Sequence, residues 1–298
     1  MKVIRLPDLN EQRERRVAVG TFDGVHVGHR EVIRGCDTVL TFDPHPLSVV
    51  RPEAAPKLLT PFTVKRDIIA GLGVEELVVI PFDEEFRSKT AEQFIDEVLI
   101  GKLQAVRVSV GENFTFGKKA AGNPEMLRAR PEFETRVVPL VEVEGETVSS
   151  TQIRALVSAG DVEKAARMLG GPFIVEGEVA HGDERGRTLG FPTANIVLDE
   201  DFVHRGHGVY AGWAHGRCAA VNVGVRPQFE TGRGLLIEAY LLDYDGDLYG
   251  ETLRIAFTRR LRGERRFESV DALVEQMGRD VEEARGICEA ATSRRADA

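Results

Sequence analysis

The sequence predicts an α/β Rossmann-like domain followed by a small antiparallel β-barrel domain with a C-terminal helix. Three observations lead there. Up to about Gly170, apolar strands alternate with helical segments. From Pro172 onward the pattern becomes β-rich segments separated by short turns. The length, 298 residues, suits two domains that each bury a core. The expected domains are residues 1–170 and 171–298.

In the first part, strands are expected over Arg16–Phe22, Thr38–Phe42, Leu77–Phe82, Ala105–Val110 and Thr135–Leu140. Runs such as LVVIPF are apolar throughout, as in a parallel sheet covered on both faces. Helices are expected over Gly28–Gly35, Thr63–Gly71, Ala91–Ile100, Thr151–Ala159 and Val162–Leu169. The last begins at a capping Asp161 and ends at Gly170-Gly171. In the second part, FIVEGEVAHG, GVYAGWAHG, RCAAVNVG, LLIEAYLLD and TLRIAFTRR read as barrel strands. A helix from Val270 to about Ala290 closes the domain, and a frayed tail is expected after it.

Composition excludes several classes. Hydrophobic residues make up 42% and charged residues 29%, as in a globular protein, and the net charge of −9 argues against a nucleic-acid partner. No apolar run reaches membrane-spanning length, and the N-terminus lacks a signal-peptide core, so no membrane partner and a cytoplasmic location are expected. Cys36, Cys218 and Cys288 lie far apart, which speaks against a zinc ribbon or a disulfide framework. Lysine stops at Lys164, and no G-K-[ST] tripeptide occurs, so any kinase chemistry does without a phosphate-loop lysine.

The H-x-G-H stretch His26–His29 follows the first predicted strand and opens a helix. The carboxyl end of such a strand is where open α/β sheets bind ligands, and a helix start offers free N–H groups to phosphate. Gly28 permits close approach, and the two imidazoles can donate to phosphate oxygens whose charge grows in a transition state. This reads as a nucleotidyl-transfer site, with Gly20, Phe22 and Asp23 in the same loop. Three further segments are expected to converge on it. Pro44, His45 and Pro46 form a stiff loop after the second strand. In Gly111–Gly117, Asn113 can bond a ring or ribose edge and Phe114 or Phe116 can stack, although a turn residue and a core pair look the same in sequence. Ser150 and Thr151 cap a helix that carries Arg154 on the same face, a second anion site. Only eight residues, Arg30–Asp37, separate His29 from Thr38, which leaves room for a crossover helix of about two turns.

The second half has its own cluster. Gly182, Gly186, Thr188 and Gly190 punctuate a loop able to lie over phosphates. Thr193 and Asn195, two apart on an extended segment, present hard oxygens suited to Mg²⁺ that travels with ATP. Glu238 sits in an apolar strand, where a carboxylate serves either as partner to a cation or as a base strengthened by desolvation. Asp243–Asp247 is a hairpin turn, because Leu248 and Arg254 occupy the positions where a calcium loop needs Gly and a carboxylate.

These motifs in order resemble a known family. GTFDGVHVGH, TFDPHP, GENFTFG and SSTQIR are similar to the FMN adenylyltransferase module of bacterial bifunctional riboflavin kinase/FAD synthetases. GRTLGFPTANI, GVYAGWA, NVGVRPQF and IEAYLLDYDGDLYG are similar to its riboflavin kinase module. The resemblance implies phosphorylation of riboflavin by ATP to FMN and ADP, then adenylylation of FMN by ATP to FAD and pyrophosphate. Flavins are then substrates and products, and no tightly bound organic cofactor is expected. It further implies that His26 and His29 steady the α-phosphate, that Ser150, Thr151 and Arg154 hold the leaving phosphates, and that Pro44, His45, Pro46 and Asn113 lie near the flavin. In the kinase, Thr193 and Asn195 would bind Mg²⁺ and Glu238 would be the base.

Overall fold

The computed structural model describes residues 1–180, 189–203, 206–225 and 235–296. Contacts divide the chain into two units, Met1–Pro56 with Phe62–Ser150, and Lys57–Pro61 with Thr151–Ala298.

In the first unit, β1 (Lys2–Arg5), β2 (Arg15–Val19), β3 (Thr38–Asp43), β4 (Glu76–Pro81), β5 (Ala105–Gly111) and β6 (Glu134–Val138) form one sheet in the order β1-β4-β3-β2-β5-β6. Every pairing is parallel. The short edge strand β1 was not foreseen; its four residues carry no apolar run. The helices are α1 (Val27–Ile33), α2 (Pro46–Val50), α3 (Phe62–Gly71), α4 (Glu84–Arg87), α5 (Ala91–Gln93) and α6 (Pro124–Arg128). The expected α-helix over Ala91–Ile100 is α-helical only at its capped start. Phe94–Lys102 winds as a π-helix, and Leu103 N–H then reaches back to Val98 O at 2.9 Å.

Alternation along the strands fills both faces of the sheet. Val17, Val19, Leu40, Val78 and Ile80 pack with Phe94, Val98 and Leu99. Ala18, Val39, Leu77 and Val79 point the other way, toward Ile33 and Ile69. β2 and β5 are neighbours, yet the chain leaves them toward opposite edges of the sheet. Their carboxyl ends therefore form the switch-point crevice where such sheets receive ligands.

A two-residue hairpin, β7 (Glu142–Val143) and β8 (Glu146–Thr147), precedes α7 (Ser150–Ala159) and α8 (Val162–Leu169). The expected boundary lies after these helices, at Gly170. By contacts, the chain from Thr151 on groups with the second unit, because the buried side of α8 (Val162, Ala165, Met168, Leu169) packs on barrel strands. Those strands are β9 (Phe173–Ala180), β10 (Ala194–Val197), β11 (Gly208–Ala214), β12 (Arg217–Val225), β13 (Leu235–Leu241) and β14 (Thr252–Arg262). They close in the order β10-β13-β12-β11-β14-β9 around Phe173, Tyr210, Val221, Ile237 and Phe257. α9 (Val270–Ala296) lies on β11 and β12, where Ala211, Ala220 and Ala284 permit close contact. It continues through most of the tail expected to fray.

The cysteine expectation needs correction. Cys218 on β12 and Cys288 on α9 are disulfide-bonded, S–S 2.09 Å, across 70 residues of sequence. Only the packing of α9 on the barrel brings them together, and no sequence spacing records that packing. Cys36 is free and buried, and burial pushes its thiol up. Among the described residues, no helix is long and apolar enough to cross a membrane. Asp243, in the turn after β13, pairs with Arg285 of α9 at 2.7 Å.

Candidate active sites

The loop after β2 is twisted and firmly held. Phe22 (φ 49°), Gly24 (φ 86°) and Val25 (φ 42°) all adopt left-handed backbone. That is a strained choice for an aromatic and a β-branched residue, and it persists only where surroundings impose it. Here the carbonyls are caught one after another. Thr21 O accepts from Thr41 Oγ1 (3.1 Å) and Lys65 Nζ (3.0 Å). Phe22 O accepts from Val25 N–H (3.2 Å), Asp23 O from Ser150 Oγ (2.9 Å), and Val25 O from Arg30 Nε (3.1 Å). Phe22 and Asp23 are almost wholly buried. Gly20 fits closely against this loop: a Cβ there would lie 3.0 Å from the Phe22 ring, which would have to give.

His26 caps α1, its Nδ1 accepting from His29 N–H at 3.2 Å, which leaves the ring proton on Nε2. The two imidazoles stack with centroids 3.5 Å apart, and Phe22 meets His29 edge-on at 5.3 Å. Gly28 makes room for this stack; a Cβ would stand 3.2 Å from the His26 ring. Burial, and then the nearby His26 and Lys65, hold the His29 pKa well below its ordinary 6.5, so its ring is neutral at physiological pH. Its enclosed Nδ1 has no hydrogen-bond partner.

The other predicted residues of this site are distributed as follows. The Asp43–Pro44 bond is cis, and the expected stiff loop instead turns at once into α2, which His45 caps through Nδ1 to Leu47 N–H (3.2 Å), with Pro46 as its first residue. Asn113 is exposed just beyond β5. Phe116 is buried in the core beside Phe94 and stacks on Phe114, so it is not a free stacking platform. Ser150 belongs to the first unit and clamps the Asp23 carbonyl; Thr151 and Arg154 group with the second, where Arg154 Nε donates to Lys57 O at 2.6 Å. Thr41 opens the TFDPHP segment, but sequence reasoning assigned its side chain no role, and it missed Lys65. The hydroxyl looked like an ordinary strand residue and the lysine like the polar face of a helix. Burial lowers the Lys65 pKa, while Asp23 and Asp43 oppose that.

In the second unit a cavity of about 730 Å³ is lined by Thr193, Asn222, Glu238, Tyr240, Arg262 and Phe267, among others. Among the described residues Glu238 is paired with no cation; its Oε2 accepts from Asn222 Nδ2 at 3.0 Å. In register it stands opposite Asn195 on β10 and Asn222 on β12. Arg262 is held by Asp280 of α9 through Nε (3.0 Å) and Nη2 (2.7 Å). Phe191 packs edge-on against Tyr240 at 5.4 Å. Gly190 has φ 85°, a conformation open to glycine. Gly182, Gly186 and Thr188 lie outside the described residues. Among the described residues, no group of three or more His, Cys, Asp or Glu side chains could hold a metal ion unaided. Thr193 lines the cavity, and Asn195 is buried on β10 opposite Glu238.

A parallel sheet with a pinned loop at its switch point, and a barrel that carries a carboxylate-bearing cavity between its outer face and α9, define a two-domain transferase. A family model described as FAD synthetase matches residues 8–152, and one described as riboflavin kinase matches residues 169–288. The bifunctional riboflavin kinase/FMN adenylyltransferase of Bacillus subtilis is 38% identical over 298 residues, covering 92% of each chain. That of Listeria monocytogenes is 37% identical over 292 residues, covering 91% of each. A solved structure described as a macrolide-efflux protein from Streptococcus pneumoniae superposes with a TM-score of 0.85 at 31% identity, covering 96% of this chain and 99% of that one. The chain belongs to the bifunctional riboflavin kinase/FMN adenylyltransferase family. It is an enzyme of flavin cofactor biosynthesis with a kinase domain and an adenylyltransferase domain.

Proposed function

We propose that residues 171–298 phosphorylate riboflavin with ATP, releasing ADP, and that residues 1–170 adenylylate the resulting FMN with a second ATP, releasing pyrophosphate. Both reactions are placed in the cytoplasm, with Mg²⁺ accompanying the nucleotide. In the kinase, Glu238 takes the proton of the ribityl 5′-hydroxyl as its oxygen bonds to the γ-phosphorus and the bond to ADP breaks. Thr193 and Asn195 would hold Mg²⁺, which neutralises phosphate charge when bound. Gly182, Gly186, Thr188 and Gly190 would cover the phosphates. The face shared by Glu238 and the two asparagines supports this reading.

In the adenylyltransferase, an FMN phosphate oxygen attacks the α-phosphorus in line and pyrophosphate leaves, with no covalent enzyme intermediate. Gly20, Phe22, Asp23 and Gly28 shape the phosphate site. His26 and His29 steady the α-phosphate, and His29 does so as a neutral hydrogen-bond donor rather than a counter-charge. Pro44, His45, Pro46 and Asn113 flank the flavin. Ser150 fixes the loop, and the roles of Thr151 and Arg154 on the leaving phosphates rest on the motif.

The observation that carries the proposal is the pinned, left-handed loop at the switch point beside a histidine with an enclosed, unpartnered nitrogen. Purified protein given riboflavin, ATP and Mg²⁺ should yield FMN and then FAD on chromatography. Glu238→Gln should lose FMN formation yet convert supplied FMN to FAD. His29→Ala should do the reverse, with FAD formation down about 10²–10³-fold. FMN accumulating without FAD in the unaltered protein would reduce the chain to a kinase with an inactive first domain.

A further inference from the structure

Glu238 lies on β13, which runs between β10 and β12. Strand register sets Asn195 and Asn222 directly opposite it on either side, so three polar side chains share one row of one barrel face. Of the two asparagines, Asn222 touches the carboxylate, Nδ2 to Oε2 at 3.0 Å, and both partners line the cavity. An ionised carboxylate only accepts, so it is the NH₂ of Asn222 that faces it. We propose that Asn222 is a positioning residue of the kinase: it holds one carboxylate oxygen of Glu238 and leaves the other aimed at the substrate hydroxyl. The inference rests on the reading of Glu238 as the base.

The chemistry favours an amide here. A guanidinium in contact with the base would stabilise its ionised form and weaken it as a proton acceptor. Arg262, which lines the same cavity, is instead bound to Asp280 through Nε and Nη2. A neutral donor orients the carboxylate without adding a full opposing charge. Because Asn222 and Glu238 are fixed opposite each other by strand pairing, the orientation exists before substrate arrives.

The test uses the full chain, whose FAD formation from supplied FMN serves as an internal control. Asn222→Leu should lower kcat for FMN formation about 10–100-fold. Its KM for riboflavin, and riboflavin binding followed by flavin fluorescence, should stay within about threefold of the original. Asn222→Ser, which keeps a hydroxyl donor, should recover part of the lost kcat. An unchanged kcat in Asn222→Leu, or a raised KM with kcat intact, overturns the inference, the latter by making Asn222 a contact to the flavin. Should the leucine variant fail to fold, Asn222→Ala is judged by the same split. Glu238→Gln separates the two readings: if it still makes FMN, the assignment of the base fails, whereas if it is inactive and the Asn222 variants are normal, only the inference fails.

Discussion

The carbonyl of Thr21 takes two hydrogen bonds, one from the hydroxyl of Thr41 and one from the ammonium of Lys65, and the twisted loop depends on them. Thr41→Val keeps the shape and removes one donor. A weakened hold of about 1–3 kcal/mol on this loop should reduce FAD formation roughly tenfold or more and spare FMN formation, measured on the same preparation. His29 carries a pH signature. Its folded pKa lies below the ordinary 6.5. Above that pH neither state of the chain is protonated there, and its contribution to stability is complete. As pH falls below 6.5, the unfolded chain takes up a proton that the folded ring refuses, so stability declines. Melting temperatures at pH 7.5 and 5.5 should therefore fall less in His29→Asn than in the unaltered protein. At this scale the sequence was partly legible. The H-x-G-H pair stood out because its spacing is unusual, whereas Lys65 and Thr41 did not, since a sequence does not say which lysine of a helix bends inward.

Among the elements, β2 and β4 are tied by a charge pair that no strand pattern announces. Arg15 is fully buried, and its Nε meets Glu76 Oε2 at 2.8 Å, with Arg13 Nη2 at 3.0 Å from the same oxygen. Burial works to raise the Glu76 pKa, yet hydrogen bonds from Arg15 and Arg13 prevail and lower it. Glu76→Ala strands a buried guanidinium and should destabilise the sheet by about 3–5 kcal/mol, whereas the double change Arg15→Met, Glu76→Leu should come close to neutral in denaturant unfolding. Element existence was otherwise readable where periodicity is strong. β4 is a nearly continuous apolar run, β3 and β5 are rich in β-branched residues, and the short crossover does carry a helix of seven residues, α1. What escaped was set by neighbours. β1 gains its place from pairing with β4, β10 from the two strands beside it, and the π-helical turns after α5 from how that segment packs on the sheet.

For the molecule as a whole, two contact units with separate cores imply separable damage. Leu40→Ala, at a fully buried position in the sheet, should cost about 2–5 kcal/mol and depress FAD formation at elevated temperature before FMN formation declines. The division into sheet and barrel was legible from the change of period after Gly170, but the allegiance of α7 and α8 was not, because it is decided by what α8 packs against. The row Asn195–Glu238–Asn222 has one more implication, which concerns tolerance to insertion and deletion. Facing in a strand is a matter of odd and even counting. Losing one residue upstream in β13 would turn the carboxylate away from the cavity and into the barrel interior, where Ile237 now packs, while leaving every amino acid of the motif in place. Losing two would keep it facing the cavity but hand its amide partner to a different residue. Comparisons among natural variants should therefore find length changes confined to the turns that flank this strand.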